Sequence, residues 1–262
     1  MSNAVTYTSE HEFLSHYNKK EFESPLLTVD MAIFSVHANE LQVLVIQRSN
    51  FPEKGRWALP GGFVDLAKDV DLMASAHRKL VEKTGVQSPY LEQVATIGNA
   101  TRDPRGWAVT TLYFALIDFN QFERISSTQQ EESRWVNIAE AQQLELAFDH
   151  QQLLQLAIER LSSKARYTAL PVSLMPKRFT LTELQRIYEI ILGQRLEKKS
   201  FRRRMIEAGA VKETNESKIA GKRPAQLYEY ALDHFDFHFP RILEHPRENH
   251  QVDSSIKLNQ VK

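Results

Sequence analysis

Between Pro60 and Val86 the chain must turn sharply, cross a loop and run down a helix that stops at a set residue. Gly61-Gly62 supplies the turn. Leu72, Ala76 and Leu80 then recur at helical spacing, with Met73 at the border of that face, and Gly85 ends the helix. Around this unit lie strand-like runs. "LLTVDMAIFSV" and "ELQVLVIQRS" flank the turn "HANE", and "LEQVATIGNA", "AVTTLYFALI" and "SRWVNI" follow the helix. "DHQQLLQLAIERL" is amphipathic at the helical period. Strands mixed with two well-spaced helices predict one sheet covered by helices on its faces.

The 262 residues suffice for two domains. The absence of cysteine excludes disulfides, thiolate zinc sites and a cysteine nucleophile. No apolar run approaches the ~18–20 residues of a membrane span, and the polar start "MSNAVTYTSEHEF" does not read as a signal peptide, so the expectation is a cytoplasmic protein. The formal net charge of +0 hides an asymmetry. Residues 1–169 carry 16 Lys+Arg against 21 Asp+Glu, whereas residues 170–230 carry 13 against 7. A basic segment beside an acidic one suggests a module for a polyanion, with a solvated charged surface as the plainer reading.

The segment from Pro60 to Val86 ends "RKLVEKTGV", and its glycines, Arg78, Leu80, Glu82, Gly85 and Val86 are spaced like the Nudix box, G-x5-E-x7-R-E-U-x-E-E-x-G-U. "RWALPGGFV" before it and "EESRWVNIAEA" after it also resemble Nudix proteins, over roughly residues 26–160. In such enzymes helix carboxylates hold Mg2+, a hard cation on oxygen ligands, to hydrolyse a pyrophosphate. Here Lys79 and Lys83 stand at two acid positions, and the loop from Gly62 to Arg78 is two residues too long for the box. Two acids exchanged for two lysines shift the local charge by about +4, which repels a dication. Glu82 remains, and Asp65, Asp69 and Asp71 are further carboxylates in the loop. The helix is therefore expected to bind phosphates without metal and without catalytic residues. "ATRDPRGWAVTTLYFALI" resembles the segment that follows the box in ADP-ribose-handling members. The candidate ligand contacts are Arg48, Arg56, Gly61, Gly62, Arg78, Lys79, Glu82, Lys83, Arg102, Asp103, Arg105 and Trp107.

Beyond "YTALPVSLMPKRF", whose two prolines read as a linker, Thr180 to Glu183 has the form of a capping box. Leu181, Leu184, Tyr188 and Ile191 mark one helix face up to Gly193, and Phe201, Met205 and Ala208 mark a second up to Gly209. Ile206 falls outside that stripe. Helix, glycine turn, basic helix and a hairpin around "NESKIAGKRP" follow the winged helix-turn-helix plan. Its candidate DNA contacts are Thr182, Lys198, Lys199, Ser200, Arg202 and Arg203, with Lys218, Lys222 and Arg223 on the wing.

A degenerate Nudix domain followed by such a module resembles the Nudix-related transcriptional regulator (NrtR) family. The expected fold class is α+β: a Nudix α/β/α sandwich with a mixed sheet, then a winged helix-turn-helix. The expected divisions are an N-terminal arm (1–25), a Nudix-like effector-binding domain (26–162), a linker (163–178), a winged helix DNA-binding domain (179–232) and a partly disordered tail (233–262). The resemblance implies a homodimeric repressor of NAD-metabolism genes on palindromic double-stranded operator DNA. It also implies ADP-ribose or a related nucleotide as effector, with no cofactor required and no membrane partner. Two alternatives stand beside it: an active ADP-ribose pyrophosphatase with an accessory basic module, and an interaction protein whose winged helix binds protein.

Overall fold

The computed structural model describes residues 7–86, 90–119, 132–220, 223–232 and 237–239, with the side chains of Ala220 and Arg223 left aside. Lys222, the first six residues of the arm and the end of the tail lie outside the described residues. The arm carries helix α1 (Glu10–His16), capped by Ser9 and burying none of its residues.

Strand β1 (Leu26–His37) turns back into β2 (Glu40–Gln47) through Ala38 and Asn39, both at positive φ, as a tight hairpin requires. Short strands β3 (Trp57–Ala58) and β4 (Gly61–Phe63) lead to helix α2 (Leu72–Thr84), which begins at the Asp71 cap and ends at Gly85 in the left-handed region. Strands β5 (Leu91–Asn99), β6 (Ala108–Leu116) and β7 (Ser133–Asn137) follow, then helices α3 (Ile138–Gln143) and α4 (His150–Tyr167). The sheet runs β3-β2-β1-β6-β5, with β4 also on β1 and β7 also on β2. β1 lies parallel to β6 and antiparallel to its other neighbours, so the sheet is mixed.

Alternation along β1 sends its side chains to two cores. Val29, Met31 and Ile33 pack with Leu44 and Tyr113 under Ala76 and Leu80 of α2. Ala32 and Phe34 pack with Val43, Val45 and Phe114 against Leu153, Ala157 and Leu161 of α4. Helices therefore cover both faces.

The segment 163–178, where two prolines predict a linker, departs from that reading up to Leu174, whereas Pro176, Lys177 and Arg178 are exposed and outside helix and strand. α4 continues to Tyr167, and Leu170–Leu174 form a 3-10 helix with Pro171 in its first turn. Leu170, Val172 and Leu174 are buried in the same apolar cluster as Phe34, Leu161, Leu184, Tyr188 and Phe201. Proline is compatible with a helix start, and the apolar residues around it are drawn into the core, so the connection is a packed seam.

Helices α5 (Leu181–Leu192) and α6 (Lys198–Glu207) and hairpin β8 (Val211–Ala220)–β9 (Arg223–Tyr230) complete the fold. Thr180 and Glu183 form a reciprocal capping box. Tyr188 meets Phe201 edge-on at 5.2 Å and donates from Oη to the Thr168 carbonyl at 3.0 Å, anchoring the helix pair to the seam. Phe179 forms a single antiparallel bridge to Tyr228, tying the wing to the residue before the α5 cap. The tail does not leave the body at once. Ala169 donates to the Phe237 carbonyl, Phe239 donates to that of Tyr167, and the Phe239 side chain is buried.

Candidate functional site

Register places Gly61 opposite Asp30 on β1. A Cβ at Gly61 would collide with the Asp30 carboxylate and the Val29 carbonyl, so only glycine fits. Above this contact opens a cavity of about 240 Å³ between β1, β4, the 48–51 loop, the 102–105 turn and the start of α4.

Of the predicted ligand contacts, Arg48, Gly61, Gly62, Lys83, Arg102, Asp103 and Arg105 line this cavity. Arg48 donates from Nε to the Pro52 carbonyl at 3.0 Å and stacks on Phe148 at 4.6 Å. Burial, then the Arg105 charge, lowers its pKa, the signature of two cations on one pocket. Arg105 grips Asp103 through Nε at 3.0 Å and Nη2 at 2.7 Å and lies over Phe63 at 5.0 Å. Those hydrogen bonds hold the Asp103 pKa below its usual range. Arg102, expected as a ligand contact, has its guanidinium engaged within the fold. Its guanidinium makes a bidentate contact to Asp149 at 3.0 and 2.9 Å, with Asp30 at 3.5 Å, and the side chain is only 5% exposed. It serves as the buried frame of the floor.

Arg56, Arg78, Lys79, Glu82 and Trp107 are not brought to the cavity wall. Arg56 faces Glu53 at 3.3 Å and Glu145 at 3.9 Å. Trp107 covers Gly98 and is 52% exposed. Arg78 donates to Asp69 through Nε at 2.7 Å and Nη2 at 2.6 Å and to Glu82 through Nη1 at 2.9 Å. Lys79 runs its stem beneath Gly62 and donates to Glu82 at 2.8 Å. Burial raises the Glu82 pKa, but hydrogen bonds from Lys79 and Arg78 outweigh it and the net shift is downward.

These residues do not fit a divalent cation. Glu82 is shared between two cations, Asp69 is taken by Arg78 and Ser75, Asp71 caps α2, and Asp65 pairs with Lys68. Among the described residues no group of three His, Asp or Glu is arranged to hold a metal. The loop thus delivers, through Asp69, a clamp for Arg78.

Among the wall residues that escaped the sequence reading are Asp30, Phe63, Phe148 and His150. Asp30 carries a signal that could have found it, a lone acid inside the apolar run "LLTVDMAIFSV".

On the second domain, Lys198, Lys199, Ser200, Arg202 and Arg203 are exposed along α6. Glu197 caps the helix by accepting from the Lys199 and Ser200 amides at 2.8 and 2.6 Å. Arg202 reaches Thr182 at 3.3 Å, joining the outer faces of α5 and α6. Arg204 turns inward over Phe239 at 5.0 Å, and Ile206 lies on the surface. Lys218 is tied to Glu183 at 3.0 Å, fixing the wing to α5. Arg223 opens β9 opposite Ala220.

Residues 26–157 match the Nudix domain, and residues 171–230 match the NrtR DNA-binding winged helix domain. A protein of Acinetobacter baylyi described as "ADPR responsive transcriptional repressor NtrR" is 65% identical over 249 residues, covering 95% of this chain and 99% of that one. The crystal structure of Shewanella oneidensis NrtR complexed with a 27mer DNA shares 43% identity, covers 83% of this chain and 99% of that chain, and superposes with a TM-score of 0.78. The Nudix domain of the same protein complexed with ADP ribose shares 44% identity over 58% of this chain and 99% of that one, with a TM-score of 0.52. The order of domains, the sequence identity and the superposition agree: this chain belongs to the NrtR family of Nudix-related transcriptional regulators.

Proposed function

We propose that this protein is an ADP-ribose-responsive repressor of NAD-metabolism genes, whose Nudix domain (26–162) binds the nucleotide without efficient hydrolysis. The observation that carries this is the closed Lys79–Glu82–Arg78 cluster beside a cavity that still presents Arg48, Lys83 and Arg105. Cations suited to a pyrophosphate are kept, while the acid that would hold a metal is neutralised. The S. oneidensis Nudix domain bound to ADP ribose supports the choice of nucleotide.

The winged helix (179–232) takes the DNA role. Lys199, Arg202 and Arg203 on the exposed face of α6 enter the major groove, with Thr182, Lys198 and Ser200 beside them. Lys218, Lys222 and Arg223 hold the phosphate backbone from the wing. A two-fold homodimer in the cytoplasm sets two such helices about one DNA turn apart on a palindromic operator. ADP-ribose must favour the geometry that does not fit the operator, since a ligand without differential affinity shifts nothing. The seam through Leu170–Leu174 and the Tyr188–Thr168 bond is the rigid connection through which such a change passes.

A gel-shift titration on DNA upstream of NAD-synthesis genes tests the reading. Binding should weaken when ADP-ribose is added and fall by about 0.9 log unit per log unit of salt for each phosphate neutralised. Salt-independent affinity, or rapid ADP-ribose turnover with Mg2+, would count against it.

A further inference from the structure

Beneath Gly61 the cavity floor carries two polar groups that the fold leaves partly unsatisfied. Asp30 is 6% exposed. Its Oδ2 accepts from Thr110 Oγ1 at 2.7 Å and lies 3.5 Å from Arg102 Nη2. Its Oδ1 faces His150 Nε2 at 3.8 Å, beyond hydrogen-bond length. His150 is 4% exposed, and its Nδ1 accepts from the Leu59 amide at 2.9 Å. An amide can only donate, so the imidazole proton sits on Nε2. Burial holds the ring's pKa below its ordinary value, so the ring is neutral and keeps that single proton.

The floor therefore offers a carboxylate acceptor and an N–H donor, 3.8 Å apart, lining one cavity. A hydroxyl satisfies both at once, because it donates and accepts through the same atom. On the floor a purine would fit less well, since it needs an open flat face and the rings of Phe63 and Phe148 are already covered by Arg105 and Arg48. The open ring of this cavity is that of Phe51, 81% exposed on the 48–51 loop. Charge sorts the rest of the cavity, with the two exposed-side cations suited to phosphates and the buried acid suited to sugar hydroxyls.

We infer that Asp30 and His150 seat a hydroxyl of the ligand's terminal ribose while Arg48 and Arg105 take its phosphates. This pair then sets the preference for ADP-ribose over ADP, which lacks that sugar. The inference rests on the ADP-ribose reading given above.

Calorimetric titration of the full chain with ADP-ribose and with ADP tests it, for the wild type, Asp30→Asn and His150→Asn. The wild type should favour ADP-ribose. Asp30→Asn should lower ADP-ribose affinity roughly tenfold to a hundredfold, the range for a lost hydrogen bond to a charged group, and leave ADP affinity unchanged. His150→Asn keeps an oxygen for the Leu59 amide and removes the Nε2 donor. It should give a smaller loss confined to ADP-ribose, and it carries the test if Asp30→Asn does not fold. Equal losses for both nucleotides would put the adenosine on the floor and overturn the inference, as would unchanged ADP-ribose affinity in a folded variant. A wild type that binds no ADP-ribose overturns the effector assignment first, and the inference with it.

Discussion

Lys79 carries a positive charge into a position where a metal-binding helix needs a negative one, and its 2.8 Å contact to Glu82 shows where that charge goes. Asp69 is its counterpart. One carboxylate accepts from Arg78 twice, from Ser75 and from the Asp65 amide, so four donors converge on one loop residue. The Arg78 hydrogen bonds, with smaller help from Ser75, hold the Asp69 pKa below its ordinary 3.8. A carboxyl depressed in the fold contributes stability that is complete above its unfolded pKa and fades as pH falls toward the folded one. Urea midpoints should accordingly drop between about pH 5 and pH 3 in the wild type and drop less steeply in Asp69→Asn. An unchanged acid slope in the variant would remove Asp69 from this role. The lysines were legible in the sequence because they break a spaced pattern. The Asp69 clamp was not, because its partners are fixed by the path of the loop.

At the scale of elements, local signals performed well where the chemistry is local. The Thr180–Glu183 box closes within one turn, with Glu183 Oε2 accepting from the Thr180 amide at 2.8 Å and Thr180 Oγ1 accepting from the Glu183 amide at 3.2 Å. Replacing Thr180 by Ala should destabilise the protein by about 0.5–2 kcal/mol, read as a shifted urea midpoint at constant slope. A shift near zero would mean that tertiary packing alone holds the start of α5. The same Glu183 also grips Lys218, 35 positions away on the wing. No local pattern announces that contact. Arg204 gives the same lesson. On a helical wheel it borders the apolar stripe, but the docking of Phe239 turns it inward.

For the whole molecule, the decisive feature is one apolar cluster that runs from the sheet through Leu170, Val172 and Leu174 into α5 and α6. Domains joined in this way unfold together, so heating should give a single transition with equal calorimetric and van't Hoff enthalpies. Leu170→Ala should cost about 2–5 kcal/mol and lower that one transition as a whole. Two separated transitions in the wild type would show that the seam does not couple the domains. The sequence by itself determined the glycine turn, the helix and its stop, the strand periods, the capping box, the basic face of α6 and the loss of metal-binding acids. Each depends on residues within a few positions of one another. Only the tertiary structure decided that Arg102 is a buried strut, that Arg56 and Trp107 stand off the cavity, and that Pro171 lies in a core. It alone brought Asp30 to His150, and Leu59 to His150 across 91 positions. Contacts at that range depend on sheet register and on how α4 lies across the strands, and no short window of residues carries that information.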